Sequence, residues 1–234
     1  YTGKGVVVGV IDSGIDTASG EFGKRILRGY NAFDGSANVS DQTGHGTYVS
    51  GIIGASANGF GMIGVAPDVR ILPIKVFQTE STTLSILTKG IDWSIGRAQI
   101  INMSLGSSMP FGAEQLVKNV AAGQLIVVAA GNDGGANPTW PARYASQTWA
   151  NGQIIVVGAV DSHNVIASFS NQAGDAKNFF VVAPGVDILS TYPGVRLQGW
   201  TGTYANYGIM SGTSVATPFV TGLAADIESL WPQL

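Results

Sequence analysis

Cysteine is missing from the 234 residues, and with it any disulfide framework, thiolate metal site or cysteine nucleophile. Charge is scarce as well: Asp, Glu, Lys and Arg make up 12% of the chain, with 12 Lys+Arg against 15 Asp+Glu. A net charge of -3 supplies no concentrated cationic face, so a nucleic-acid partner is not expected. A membrane span is not expected either. The longest stretch free of those four residue types, Leu197 to Ala225, is interrupted by Gly199, Gly202, Gly208, Gly212 and Pro218. No cationic-then-apolar leader opens the sequence and residue 1 is Tyr, which reads as a processed or excised piece. What the chain has in quantity is apolar residues, at 45%, enough for a sizeable core and too many for intrinsic disorder. Its 33 glycines follow no Gly-X-Y period, which excludes collagen. Repeats and linker-like shifts of composition are lacking too, so residues 1–234 read as a single domain.

Strand and helix patterns alternate along the chain. Gly5 to Ile11 is a β-branched run stopped by Asp12-Ser13-Gly14, as expected of a strand buried on both faces. Further strands are predicted at Val69 to Val76, Gln99 to Met103, Leu125 to Ala129, Ile154 to Gly158 and Phe179 to Ala183. Helices are predicted at Thr47 to Ala55, at Thr83 to Ile95 with Leu84, Leu87, Ile91 and Ile95 on one face, at Glu114 to Ala122, and from Ser214 to about Leu230. This alternation implies an α/β fold of three layers, a mostly parallel central sheet with helices on both faces. In such sheets ligands sit beyond the carboxyl ends of the strands, so polar residues just after a strand or in the first turn of a helix are the candidates for chemistry.

Three such residues stand out, and taken singly each has an ordinary structural explanation. Asp12 follows the first strand and could be a turn aspartate. His45, in Thr43-Gly44-His45-Gly46-Thr47, is one of two histidines and could be a satisfied surface side chain. Ser214, in Met210-Ser211-Gly212-Thr213-Ser214-Val215-Ala216-Thr217-Pro218, could simply cap the last helix. Together they form the set nucleophilic catalysis requires. A hydroxyl needs an imidazole to take its proton, and the imidazole needs a carboxylate to fix its tautomer and steady its charge.

The three segments, Val10-Ile11-Asp12-Ser13-Gly14-Ile15-Asp16, His45-Gly46-Thr47-Tyr48-Val49-Ser50-Gly51 and Gly212 to Pro218, resemble in kind and order the signature segments of the subtilisin-like serine proteases. The resemblance continues through Gly64-Val65-Ala66-Pro67, Ile101 to Gly106, Val127 to Asn132 and Ala183-Pro184-Gly185, and so covers essentially the whole chain. It implies a secreted serine endopeptidase, with Asp12 as orienting carboxylate, His45 as general base then acid, Ser214 as nucleophile, and the Asn132 side chain joining the Ser214 amide in an oxyanion hole. Taken alone, Asn132 could also be a turn former beside Gly134. By the same resemblance Ser104, Leu105 and Gly106 offer backbone groups to an extended protein or peptide substrate. Ala129, Ala130, Gly131, Thr139, Pro141 and Ala142 line the main specificity pocket. No charged residue is among them, so apolar or aromatic side chains before the scissile bond are expected.

The resemblance also implies an N-terminal propeptide before maturation. No cofactor is needed for the chemistry. A structural calcium ion, held in relatives by a loop and an acidic residue that fall at Asn58 to Met62 and Glu21, is an open expectation. Two histidines usual in the family are replaced by Tyr48 and Phe219, and His163, in a polar turn, reads as structural. Relatives continue past the serine-bearing helix with a further helix and strand, whereas this sequence stops at Trp231-Pro232-Gln233-Leu234, so that part of the fold is expected to be lacking. A protease-like binding module without turnover is the rival reading. A nucleotide-binding domain is discarded, since the first strand leads into neither a G-x-G-x-x-G turn nor a P-loop.

Overall fold

The computed structural model describes residues 1–194 and 206–232. Residues 197–205 of the long charge-free stretch, and Gln233 and Leu234, lie outside the described residues.

The elements follow in the order β1 (Val7–Asp12), β2 (Tyr30–Asn31), α1 (His45–Gly54), β3 (Arg70–Lys75), α2 (Leu84–Ser94), β4 (Ile100–Met103), α3 (Ala113–Ala121), β5 (Leu125–Ala129), β6 (Ile154–Val160), β7 (Phe180–Pro184), β8 (Ile188–Thr191), β9 (Tyr207–Met210) and α4 (Thr213–Leu230). Strands β1 to β7 form one sheet in the order β2-β3-β1-β4-β5-β6-β7, with every neighbouring pair parallel. Strands β8 and β9 form a separate antiparallel hairpin.

The continuous apolar strands are explained by burial on both faces. Side chains alternate between two cores. Val8, Val10, Ile100 and Val127 pack with Val49 and Ile53 of α1 and Ala216 and Ala225 of α4. Ile11, Ile101, Met103, Ile126 and Val128 pack with Leu87 and Ile91 of α2 and Leu116 and Val120 of α3 on the other face. The three-layer α/β fold expected from the sequence is therefore the observed one.

Each predicted strand and helix is present, with ends that differ by a residue or two. On α2 the predicted apolar face is shorter than its pattern: Leu87 and Ile91 are buried, but Leu84 in the first turn is exposed and Ile95 is the C-cap. Thr83 caps this helix by accepting from the Ile86 N–H at 3.3 Å. Strands β2, β8 and β9 carry no period-two signal of their own and were not predicted. The β8–β9 hairpin owes its place to α1: Ser190 and Thr191 donate to the carbonyls of Tyr48 and Thr47 at 2.7 and 2.8 Å, and the buried Tyr48 hydroxyl donates to the Ile188 carbonyl. Among the described residues no helix is long and apolar enough to cross a membrane.

Candidate active site

The sheet's connectivity brings the candidate residues to one edge. Asp12 ends β1, Ser104 follows β4, and Ala130 to Asn132 follow β5, all at carboxyl ends, while His45 opens α1 and Ser214 lies in the first turn of α4.

Asp12 and His45 are in direct contact. His45 Nδ1 lies 2.8 Å from Asp12 Oδ1 and 3.0 Å from Oδ2. The carboxylate is almost completely buried and the imidazole is 28% exposed, so the ring's other edge is free to meet a substrate. Asp12 Oδ1 also accepts from the Ser13 N–H at 2.7 Å, which fixes the carboxylate plane. Burial pushes the imidazole pKa down, but the charge and hydrogen bond of Asp12, with the more remote charges of Asp41 and Glu80, outweigh that effect and hold it above its ordinary value.

A second carboxylate, Asp41, sets the position of α1, and the sequence reading did not single it out. It accepts from Ser13 Oγ at 2.8 Å, Gly44 N at 2.8 Å, Thr47 N at 2.9 Å and Thr47 Oγ1 at 2.6 Å. It thus caps the helix that begins at His45 from outside that helix. Gly44, in the N-cap position, has φ 86, and a Cβ there would press on the Tyr192 ring at 2.7 Å. An acidic residue four positions before the histidine was the available signal in the sequence.

Beyond the end of β5, Asn132 Oδ1 accepts from the N–H and hydroxyl of Thr213 at 2.8 and 3.0 Å. That fixes the amide so that Nδ2 is the end left to donate. A point 3.1 Å from Ser214 Oγ, the Cβ position that Gly212 lacks, is also 3.6 Å from Asn132 Nδ2, so the two groups flank one small space. The Ser214 amide belongs to the first turn of α4, where N–H groups have no partner within the helix and the dipole is positive. Among the described residues no hydrogen bond joins Ser214 Oγ to the His45 ring; such contacts are commonly long without substrate and tighten when it binds.

The side chain of Ser104 has a function beyond its predicted backbone role. Pro218 has no N–H to give the Ser214 carbonyl four residues before it. Ser104 Oγ supplies the missing donor at 2.8 Å, and is itself reached by Asn102 Nδ2 at 3.0 Å. Asn102 Oδ1 in turn accepts from Thr221 Oγ1 at 2.7 Å, so β4 holds two successive turns of the serine-bearing helix.

The other predicted substrate residues are also brought together. Ser104, Leu105 and Gly106 line a crevice of about 220 Å³ with Asp12, His45, Phe77 and Glu80. Thr139 N donates to the Ala130 carbonyl at 2.8 Å, and its side chain lies against Gly106 and Gly131. The segments meant to form the neutral pocket therefore adjoin the crevice. His163 is exposed in the Asp161 turn, away from these groups.

The predicted calcium residues meet at Glu21. Buried Glu21 accepts from Met62 N at 3.0 Å, from Asn58 Nδ2 at 3.4 Å and from the Tyr207 hydroxyl. These partners are donors, so in this arrangement the carboxylate is engaged by hydrogen bonds. Gly61, at φ 62, permits the closure, since a Cβ there would fall on Tyr207 Oη and Glu21 Oε1. Among the described residues no group of three or more His, Cys, Asp and Glu side chains could hold a metal.

Known proteins resemble the chain over essentially its whole length. The family model described as the subtilase family matches residues 3–234. Alkaline elastase YaB of Bacillus sp. (strain YaB) is 39% identical over 99% of the chain, which spans 56% of that protein's length. Subtilisin DY of Bacillus licheniformis is 39% identical over 100% of the chain, which spans 80% of it. A cold adapted subtilisin-like serine proteinase of known crystal structure superimposes with a TM-score of 0.82 at 33% identity, over 99% of this chain and 78% of that one. By sequence and by fold, the chain belongs to the subtilase family of serine endopeptidases.

Proposed function

We propose that the chain is a secreted serine endopeptidase that cleaves after apolar or aromatic residues, with Ser214 as nucleophile. The observation that carries this reading is the buried Asp12 carboxylate on His45 Nδ1 at 2.8 Å, beside a crevice also lined by Ser104, whose hydroxyl holds the Ser214 carbonyl at 2.8 Å. His45 Nε2 takes the proton of Ser214 Oγ as that oxygen attacks the peptide carbonyl. Asn132 Nδ2 and the Ser214 N–H donate to the oxyanion that forms. The imidazolium, steadied by Asp12, then gives the proton to the leaving amine, and an acyl-enzyme remains. Water, deprotonated by the same ring, releases the acid and restores the serine. None of these steps needs a cofactor.

An extended peptide lying along Ser104 to Gly106 would be held through its main chain, leaving the side chain before the scissile bond to enter the neutral pocket around Ala130, Gly131 and Thr139. A buried Lys or Glu would find no partner there. Secretion and synthesis with an N-terminal propeptide are carried over from the family. Peptides differing only in Phe or Lys before the scissile bond test the reading: hydrolysis with Phe preferred, abolished in Ser214→Ala, is expected, and a Lys preference contradicts the pocket assignment. A folded wild-type protein that binds these peptides without cleaving them would be the binding module instead.

A further inference from the structure

Lys75 ends β3, directly opposite Asp12 in the strand register, and its side chain is 2% exposed. Nζ donates to the Ser13 carbonyl, the Ser40 carbonyl and Gln42 Oε1, each at 2.7 Å. All three acceptors are neutral. A neutral amine has two N–H bonds, so three donated hydrogen bonds require the ammonium form. Among the described residues no carboxylate oxygen lies within 4.0 Å of it, so this is a buried positive charge without an ion-pair partner. Such burial is costly, and it lowers the ammonium pKa, against the opposing charge of Asp41.

Ser13 is the hub that explains the arrangement. Its N–H donates to Asp12, its hydroxyl donates to Asp41 and accepts from the Gly46 N–H at 2.8 Å, and its carbonyl accepts from Lys75. Two carboxylates and one ammonium are therefore fastened to a single residue beside His45. The groups facing the imidazole are Asp12 from β1, Asp41 from the segment before α1 and Glu80 from the segment after β3, and all three favour its protonated form.

We propose that Lys75 is a positioning residue whose buried charge offsets Asp12 and Asp41 and so sets the pH range in which His45 works as a base. Its hydrogen bonds also fasten the end of the Asp12 strand to the segment leading into His45. The proposal rests on the reading of His45 as the base. Without the ammonium the two carboxylates act uncompensated, the imidazolium is favoured further, and the acid limb of activity moves to higher pH.

The test is the titration of the His45 ring by NMR, alongside the pH profile of kcat/KM. Lys75→Met should raise the His45 pKa by roughly a few tenths of a unit, as expected for a charge that reaches the ring only through the cluster built on Ser13. KM should change little. Gln42→Glu, at an exposed position, brings a third negative charge to the same cluster and should shift the titration in the same direction by less. If Lys75→Met does not fold, Lys75→Gln, which removes the charge but keeps a donor for the Ser13 and Ser40 carbonyls, carries the test in its place. A folded variant of either kind whose His45 titrates as in wild type overturns the proposal. Ring titration needs no turnover, so a chain that proved unable to hydrolyse peptides would defeat the endopeptidase reading without touching this result.

Discussion

Ser214 has a carbonyl that its own helix cannot use, because Pro218 withholds the N–H it would accept, and Ser104 replaces that donor from β4. Removing the hydroxyl in Ser104→Ala leaves a partly buried acceptor unpaired, which costs about 1–3 kcal/mol, and loosens the turn bearing Ser214. We expect kcat to fall with little change in KM, and we expect the loss to shrink in a Pro218→Ala background, where the backbone N–H is restored. Equal losses in both backgrounds would mean the bond is incidental. Asn132→Leu keeps the side-chain volume but removes the donor. It should lower kcat by about 10²–10³, the scale known for the corresponding amide in subtilisin, while KM stays near wild type because the donor acts mainly in the transition state. A rise in KM alone would remove Asn132 from its assigned role.

His45 carries the pH dependence at this scale. Its folded pKa is raised above the usual 6.5, so the acid limb of kcat/KM should lie above that value. The sign for stability follows from the same shift: the Asp12 contact with imidazolium contributes fully below the unfolded pKa, and that contribution is lost as pH rises through the folded pKa. A limb at or below the ordinary imidazole value would show that burial, not the carboxylates, dominates.

Among the elements, the parallel strands were legible because burial on both faces leaves uninterrupted Val and Ile runs, as in Val6-Val7-Val8 and Ile126-Val127-Val128. The helices were legible from their apolar spacing, and His45 and Ser214 from their glycine-rich surroundings at helix starts. Asp41, Lys75 and the β8–β9 hairpin were not, because each is defined by partners distant in sequence. Lys75 reads as an ordinary strand-end cation until its three acceptors are in place, and β8, paired only with β9, is held to the molecule by α1 rather than by the seven-stranded sheet. The segment from Asn58 to Met62 shows the same limit. The sequence supplied the right residues for a calcium loop, but Tyr207, distant along the chain, brings a donor to Glu21. We expect a chelator to leave the melting temperature unchanged and Tyr207→Phe to lower stability by about 1 kcal/mol or more. A large drop in melting temperature on chelation would restore the metal.

At the scale of the whole molecule, chain order matters less than where the sheet delivers its strand ends. Asp12, Lys75, Ser104 and Asn132 lie at the carboxyl ends of β1, β3, β4 and β5, neighbours in the sheet, and the two helices bearing His45 and Ser214 lie on the same face. The chain order Asp, His, Ser identified the set, but only the crossovers explain why residues 33 and 110 positions apart touch. In the proposed reaction these groups act as one proton relay on a nucleophilic serine. Stoichiometry of labelling by a fluorophosphonate, with the modified residue located by peptide mapping, tests it most directly. One label per molecule is expected on Ser214, lost in Ser214→Ala and slowed by orders of magnitude in His45→Ala. A folded wild-type protein that takes no label, or one labelled elsewhere at the same rate with or without His45, would contradict it.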